Sequence, residues 1–262
     1  MDYQVKTFYD LRQLHGKHII RETRESHPVI PTGWRELDST LDCGGWPRGR
    51  MIEIYGPSSS GKTTVGLRAV ASVQALGGRA VFVDAERALN MKSAAELGVD
   101  VGEIILCEPD TAEAAFDSMA RLISDLRPEL VVLDSLAALV PKCEYDDTST
   151  PDGNYAALIG RSVRLLGVRC FRSMTCLLIL NQVREKADVM FGNPMTTPGG
   201  NALRHASYLR LELRSVKKVV PEGMRRREFT KAVVTKSKYG AALRQTEFEL
   251  PYGPAVPRGQ PM

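Results

Sequence analysis

Residues 51–64, MIEIYGPSSSGKTT, decide the fold. MIEIY is a short β-type run. It breaks into Gly56-Pro57-Ser58-Ser59-Ser60-Gly61-Lys62-Thr63-Thr64, and the helical stretch TTVGLRAVASVQAL follows until Gly77-Gly78 stops it. The loop fits G-x-x-x-x-G-K-[ST] and lies between a strand and a helix, where its mechanism needs it. Glycines let backbone wrap closely around a polyphosphate, and successive N–H groups at a helix N-terminus supply donors and positive potential. Lys62 then neutralises the β/γ oxygens of a bound nucleotide, and the Thr63 hydroxyl is placed to ligate Mg²⁺. The plainer alternative is a glycine-rich turn that matches by accident; the strand–loop–helix setting argues against it.

Outward from this loop the pattern repeats. RAVFVD reads as a second strand, TAEAAFDSMARLISDL as an amphipathic helix closed by Pro128, and ELVVLD as a third strand. A helix is expected from about Tyr155 to Arg172, then TCLLILN as a fourth strand. Near-continuous apolar strands alternating with helices predict an α/β fold, a mostly parallel sheet covered on both faces. Beyond Gly200, the segments YLRLELR, FTKAVVTK and QTEFEL alternate and predict an antiparallel extension. Residues 1–30 form a polar segment in which Tyr3, Phe8 and Leu11 could line a short helix, an arm for docking on the core or on a second subunit. The core is expected over 31–253, with a Pro/Gly-rich tail at 254–262.

Composition sets outer bounds. The chain has 262 residues, 43% hydrophobic and 25% charged, which excludes wholesale disorder. No apolar run approaches the roughly 20 residues of a membrane span. Five scattered cysteines without a C-x-x-C pair suggest reduced thiols in a cytoplasmic protein rather than disulfides or zinc. A net charge of +4 permits a polyanionic partner without demanding one.

Hydrolysis requires more than a phosphate cradle. Asp134 closes LVVLD, which puts a carboxylate at the C-terminal edge of a strand, where ligands of open α/β sheets gather and where Mg²⁺ would be met. Glu86 follows RAVFVD and is a candidate for activating water; Asp84 competes, and on residues alone the choice stays open. Asn181-Gln182 ends LLILN, so an amide there is placed to sense a γ-phosphate while the following loop moves with it. That loop carries Arg184 and Lys186 for phosphates, Met190-Phe191 as an apolar wedge, and Gly192, Gly199 and Gly200 for flexibility, a combination suited to single-stranded nucleic acid. The bland alternative is that Met190-Phe191 only pins a surface loop. Between Ala202 and Arg244, twelve Lys/Arg stand against three Glu. Arg225-Arg226-Arg227 reads as a hairpin tip there, and Lys236 and Lys238 alternate outward from one strand face. Such a run is ordinarily a solvated surface or a lysine-protected edge.

In order, GPSSSGKTT, FVDAERAL, VVLDSLAAL and LILNQVREKADVMFGNPMTTPGGNALR closely resemble the bacterial RecA recombinase family, from about Thr32 to about Gly253. VMFGNPMTTPGGNAL is the most diagnostic part. The resemblance implies an ATPase core that polymerises as a helical filament on single-stranded DNA, holds ATP between subunits, and exchanges strands with homologous duplex DNA. It implies Lys62 and Thr63 as the phosphate-loop pair, Asp134 as the Mg²⁺-side acid, Glu86 as the water-activating residue and Gln182 as the γ-phosphate sensor. Lys236 and Lys238 would reach across to the neighbour's ATP. The second DNA loop would run from about 183 to 200, its contacts drawn from Arg184, Lys186, Met190, Phe191, Gly192, Asn193, Gly199 and Gly200. The first, from about 143 to 154, is acidic.

Several positions depart from the family pattern. Ser93 stands where the family has its adenine-stacking tyrosine, Ser58 where an acid follows GP, and His205 where an interface aromatic is usual. The resemblance stops near Gly253, so the C-terminal domain that captures duplex DNA is expected to be missing. Two functions follow: a compact DNA recombinase, or an accessory protein acting on a recombinase or translesion polymerase.

Overall fold

The computed structural model describes residues 28–146, 154–185, 195–216, 228–240 and 242–251. The strands are β1 (Val29–Ile30), β2 (Trp46–Pro47), β3 (Met51–Gly56), β4 (Ala80–Asp84), β5 (Ile105–Cys107), β6 (Leu130–Asp134), β7 (Cys176–Gln182), β8 (Arg184–Glu185), β9 (Met195–Thr196), β10 (Leu209–Val216), β11 (Glu228–Ser237) and β12 (Gln245–Leu250). The helices are α1 (Arg35–Thr40), α2 (Lys62–Ala75), α3 (Met91–Glu96), α4 (Ala112–Asp125), α5 (Lys142–Tyr145), α6 (Asn154–Ser173) and α7 (Gly200–Ala206).

Eight strands form the main sheet in the order β12-β11-β10-β3-β7-β6-β4-β5. From β10 to β5 every pairing is parallel, and β11 and β12 add an antiparallel edge. The expected architecture therefore holds, with one adjustment. YLRLELR joins the parallel set, because β10 lies alongside β3 with Leu211 opposite Ile54.

Alternate residues of each strand face opposite sides, which divides the core in two. Ile52, Ile54, Phe82, Val132, Leu178 and Leu180 pack with Val65, Val70 and Val73 of α2. On the other face Val81, Val83, Val131, Leu133 and Ile179 pack with Phe116 and Met119 of α4 and Val163 and Leu166 of α6. The helix expected at 155–172 is α6. Several short elements escaped sequence reasoning, among them β5, only three residues long, α3, and α1, within a stretch read as a connection between glycines and prolines.

Several expectations fall outside the described residues: the helix carrying Tyr3, Phe8 and Leu11, the Arg225–Arg227 tip, the tail at 254–262, and residues 147–153 of the first loop. Lys186, Met190, Phe191, Gly192 and Asn193 are outside as well. Among the described residues no helix is long and apolar enough to cross a membrane.

Candidate nucleotide site at the edge of the parallel strands

β3 ends at Gly56 and α2 begins at Lys62, so the loop 57–61 turns from strand to helix at the C-terminal edge of the sheet. The glycines are required by space and by angle. A side-chain carbon on Gly56 would lie 2.1 Å from the Leu213 carbonyl oxygen, and Gly61 takes φ +91°. Thr230 on β11 donates to the Ser60 carbonyl at 2.9 Å, which braces the loop from the antiparallel edge. The Ser60 hydroxyl is buried and has no hydrogen-bond partner among the described residues, an unsatisfied polar group beside a cradle of backbone amides.

Lys62 is buried, and its ammonium donates to the carbonyls of Gly56 at 3.1 Å and Pro57 at 2.7 Å. Burial pulls its pKa down, against the opposing pull of Asp134 and Glu86. The Thr63 hydroxyl donates to Asp134 Oδ2 at 2.6 Å. Asp134, 6% exposed, has its pKa raised to about 6, chiefly by burial and further by Glu86 and Asp84; the Thr63 bond and Lys62 hold it back.

Asp84 and Glu86 have different settings. Asp84 is buried and accepts from the Leu89 N–H at 2.8 Å, so it fastens the loop after β4. Glu86 is exposed, and its Oε1 accepts from Ser135 Oγ at 2.6 Å and from Gln182 Nε2 at 3.1 Å. The neighbouring Arg87 pairs with Asp110 and so does not engage the Glu86 carboxylate.

Ser58, Ser59, Gly61, Lys62, Thr63, Thr64, Glu86, Asp134 and Gln182 therefore share one cleft of about 220 Å³, with Glu228 and Leu250 closing its side. A second cleft of about 280 Å³ adjoins it through Thr63 and Thr64. Leu89, Asn90, Ser93, Leu97 and Pro251 line this second space, so the position read as departing from an aromatic does face it.

The other expected residues lie elsewhere. Arg184 is on β8, whose backbone pairs with β9, and Gly199 and Gly200 open α7 with φ +87° and +51°. Lys236 does not point freely outward. A bulge at Thr235 interrupts the alternation of β11, and the Lys236 ammonium donates to the carbonyls of Arg204, His205 and Ser207 at 2.6, 3.1 and 2.7 Å. Lys238 lies past the end of β11, its ammonium 5.6 Å from the centre of the Tyr208 ring. β11 runs from Glu228 at the cleft to Lys236, which lies opposite Arg210, itself opposite Glu53 of β3; the Lys236 ammonium is turned to the end of α7 and is not among the residues lining the cleft.

Sequence reasoning missed Ser135, whose only signal is its place after Asp134. It also counted Arg210 among surface cations. Arg210 is 7% exposed, and its Nε donates to Glu53 Oε2 at 2.6 Å. Glu53 is fully buried, and its Oε1 accepts from Asn181 Nδ2 at 3.1 Å.

A strand-borne phosphate loop, a lysine and threonine at the start of the next helix, and an acid closing a nearby parallel strand define a P-loop NTPase. Residues 11–257 match the RecA N-terminal domain family. The chain is 44% identical over 237 residues to Protein RecA of Bacillus licheniformis, covering 90% of this chain and 68% of that protein. Against Protein RecA of Bacillus subtilis it is 44% identical over 230 residues, 87% of this chain and 66% of that one. Against Protein RecA of Saccharopolyspora erythraea it is 41% identical over 239 residues, 90% and 69%. The chain belongs to the RecA family, and spans about two thirds of the length of these relatives. The function that goes with this membership is ATP-dependent DNA recombination by a DNA-dependent P-loop ATPase.

Proposed function

We propose that this protein assembles as a helical filament on single-stranded DNA, hydrolyses ATP where one protomer meets the next, and pairs the bound strand with homologous duplex. The observation that carries the proposal is the meeting of Lys62, Thr63, Asp134, Glu86 and Gln182 at one cleft, with the loop 183–200 leaving directly from Gln182. The assembling unit is the core 31–253, with residues 1–30 as the arm that reaches a neighbour, and the protein works in the cytoplasm. Its kinship with proteins named RecA favours this reading over an accessory role.

The residues suit Mg²⁺. The Thr63 hydroxyl and Asp134 carboxylate are hard oxygen donors already 2.6 Å apart, and a burial-raised carboxylate gains from a nearby cation. Mg²⁺ held there by Thr63 and, through water, Asp134 would offset charge on the phosphate oxygens. The chain's own groups do the rest. Backbone amides from Ser58 to Thr64 cradle the phosphates, and Lys62 leaves the Gly56 and Pro57 carbonyls for the outer phosphate oxygens. Glu86 is held at one oxygen by Ser135 and Gln182. Its other oxygen, without a hydrogen bond among the described residues, takes a proton from the attacking water. Before that proton moves, when ATP binds, Gln182 exchanges Glu86 for the γ-phosphate and leaves Glu86 to Ser135, and its loop, with Arg184, Lys186, Met190, Phe191, Gly192, Asn193, Gly199 and Gly200, grips the strand. Lys236 and Lys238, which do not line their own cleft, stabilise the neighbour's transition state.

The test is ATP turnover with and without single-stranded DNA across a salt titration. Stimulation that declines steeply with salt is expected, because phosphate contacts release counterions. Turnover indifferent to DNA at every salt concentration would refute the proposal. Within it, Phe191→Ala weakens DNA binding and spares nucleotide binding; equal loss of both would remove the loop assignment.

A further inference from the structure

β7 is apolar from Cys176 to Leu180 and then places an amide, Asn181, at a fully buried position. An asparagine in such a strand replaces apolar packing by hydrogen bonds, and here the bonds are specific. Its Nδ2 donates to Glu53 Oε1 at 3.1 Å and to the Pro198 carbonyl at 2.9 Å, and its Oδ1 accepts from the Gln182 N–H at 3.1 Å. Both amide protons and the carbonyl oxygen are thereby used. Glu53 cannot yield, because it is sealed in the sheet and its second oxygen is held by Arg210. One side chain thus ties together the entry stem of the 183–200 loop, its exit stem sixteen residues later (182 to 198), and an immobile anchor on β3.

We propose that Asn181 is a positioning residue that couples the state of the nucleotide to the grip on single-stranded DNA. This deepens, and rests on, the reading of 183–200 as a DNA loop and of Gln182 as its sensor. When Gln182 exchanges Glu86 for a γ-phosphate, its N–H turns on the Asn181 oxygen; the amide pivots about its bond to the fixed Glu53 and shifts the Pro198 carbonyl, so the two stems respond together. The exit stem is built for such a displacement, since the left-handed Gly199 and Gly200 follow Pro198 and lead into α7. Without the amide, the entry stem would respond to nucleotide while the exit stem stayed behind.

The experiment measures the affinity of the full chain for fluorescent oligodeoxythymidine, with and without a non-hydrolysable ATP analogue. The ratio of the two affinities is the coupling factor. For Asn181→Ala the coupling factor falls at least tenfold while affinity for the analogue itself changes less than about threefold. Asn181→Ser, whose hydroxyl cannot reach both stems, serves if the alanine variant fails to fold, and loses coupling to the same extent. Leu178→Ala, a buried β7 change remote from the loop, separates coupling from packing: it lowers the melting temperature and keeps the wild-type ratio. Coupling retained in Asn181→Ala or Asn181→Ser overturns the inference, as does equal loss in Leu178→Ala. Should the unaltered protein itself bind the oligonucleotide equally with and without analogue, the loop reading fails first, and with it the basis of this inference.

Discussion

Two carboxylates on the central sheet are buried almost equally and serve opposite ends. Glu53, fully buried in the middle of β3, is complete: Arg210 holds one oxygen and Asn181 the other. Asp134, 6% exposed at the end of β6, is incomplete. Among the described residues it has one hydroxyl donor, two nearby acids, and a lysine whose ammonium is engaged by carbonyls. A buried charge that is fully satisfied is structural, because any change of partner leaves a charge stranded. A buried charge left short of partners stores a preference for a cation. The contrast locates the chemistry at the sheet's edge and its rigid reference in the sheet's centre.

The largest expected effect breaks the complete pair. Glu53→Ala strands Arg210 and should destabilise the fold by about 3–5 kcal/mol in urea unfolding. Replacing both, Glu53→Met with Arg210→Met, should recover most of that loss, because the cost belongs to the unpaired charge. If the double variant is as unstable as the single one, Glu53 is not held in place by its ion pair. Next comes Lys62→Ala. It removes the cation from the incomplete site, so ATP binding is lost and turnover drops at least about 10²-fold, with the unfolding midpoint little changed.

Asp134 gives the pH prediction. Its folded pKa of about 6 lies above the ordinary 3.8, so between these values the folded state holds a proton that the unfolded chain has released. The stability contributed by this group is full below the unfolded value and is lost as pH rises through about 6. Other carboxylates titrate too, so the measurement is wild type against Asp134→Asn, both without nucleotide. The Asn variant should be the more stable near neutrality, by on the order of 2 kcal/mol, and the gap should close toward pH 4. For the wild type, apparent Mg²⁺ affinity in the presence of nucleotide should fall as pH drops below about 6, since proton and cation compete for one carboxylate. A gap independent of pH would mean that Asp134 is not strained by its burial.

How legible these features were follows from how local they are. The loop 56–64 could be read because its function needs consecutive residues, and Asp134 and Gln182 because a strand's end is marked by where its apolar run stops. The pairing of Glu53 with Arg210 spans 157 residues and becomes visible only when β3 and β10 lie side by side. In MIEIY the glutamate looks like the polar half of an alternation, and Arg210 looked like one cation among twelve. Asn181 was seen as a strand end facing phosphate, yet its amide turns inward to Glu53 and Pro198. Ser135 was hidden for the same reason, since it reaches Glu86 from just past the end of β6.

The smallest effect tests whether satisfaction always marks structure. Lys236 is as well partnered as Glu53, with three carbonyls around its ammonium at the C-terminal end of α7, although the proposed function gives it work on a neighbour's triphosphate. Burial, with Lys238 and Arg210 nearby, pulls its pKa down, so its charge there is held against opposing pressure. Lys236→Met keeps the length of the side chain and removes the charge. In the dissociated chain, loss of a cation at a helix C-terminus should cost about 0.3–1 kcal/mol, less as salt is raised. If Lys236 only caps α7, DNA-stimulated turnover should fall no more than that small cost implies. If the cap is a resting position that the lysine leaves on assembly, turnover should fall by more than tenfold while stability barely changes. That split is the expected result. Unlike Glu53, a flexible ammonium on the protein's surface loses little by exchanging three carbonyls for a phosphate, so being satisfied marks structure only where the partners are sealed in.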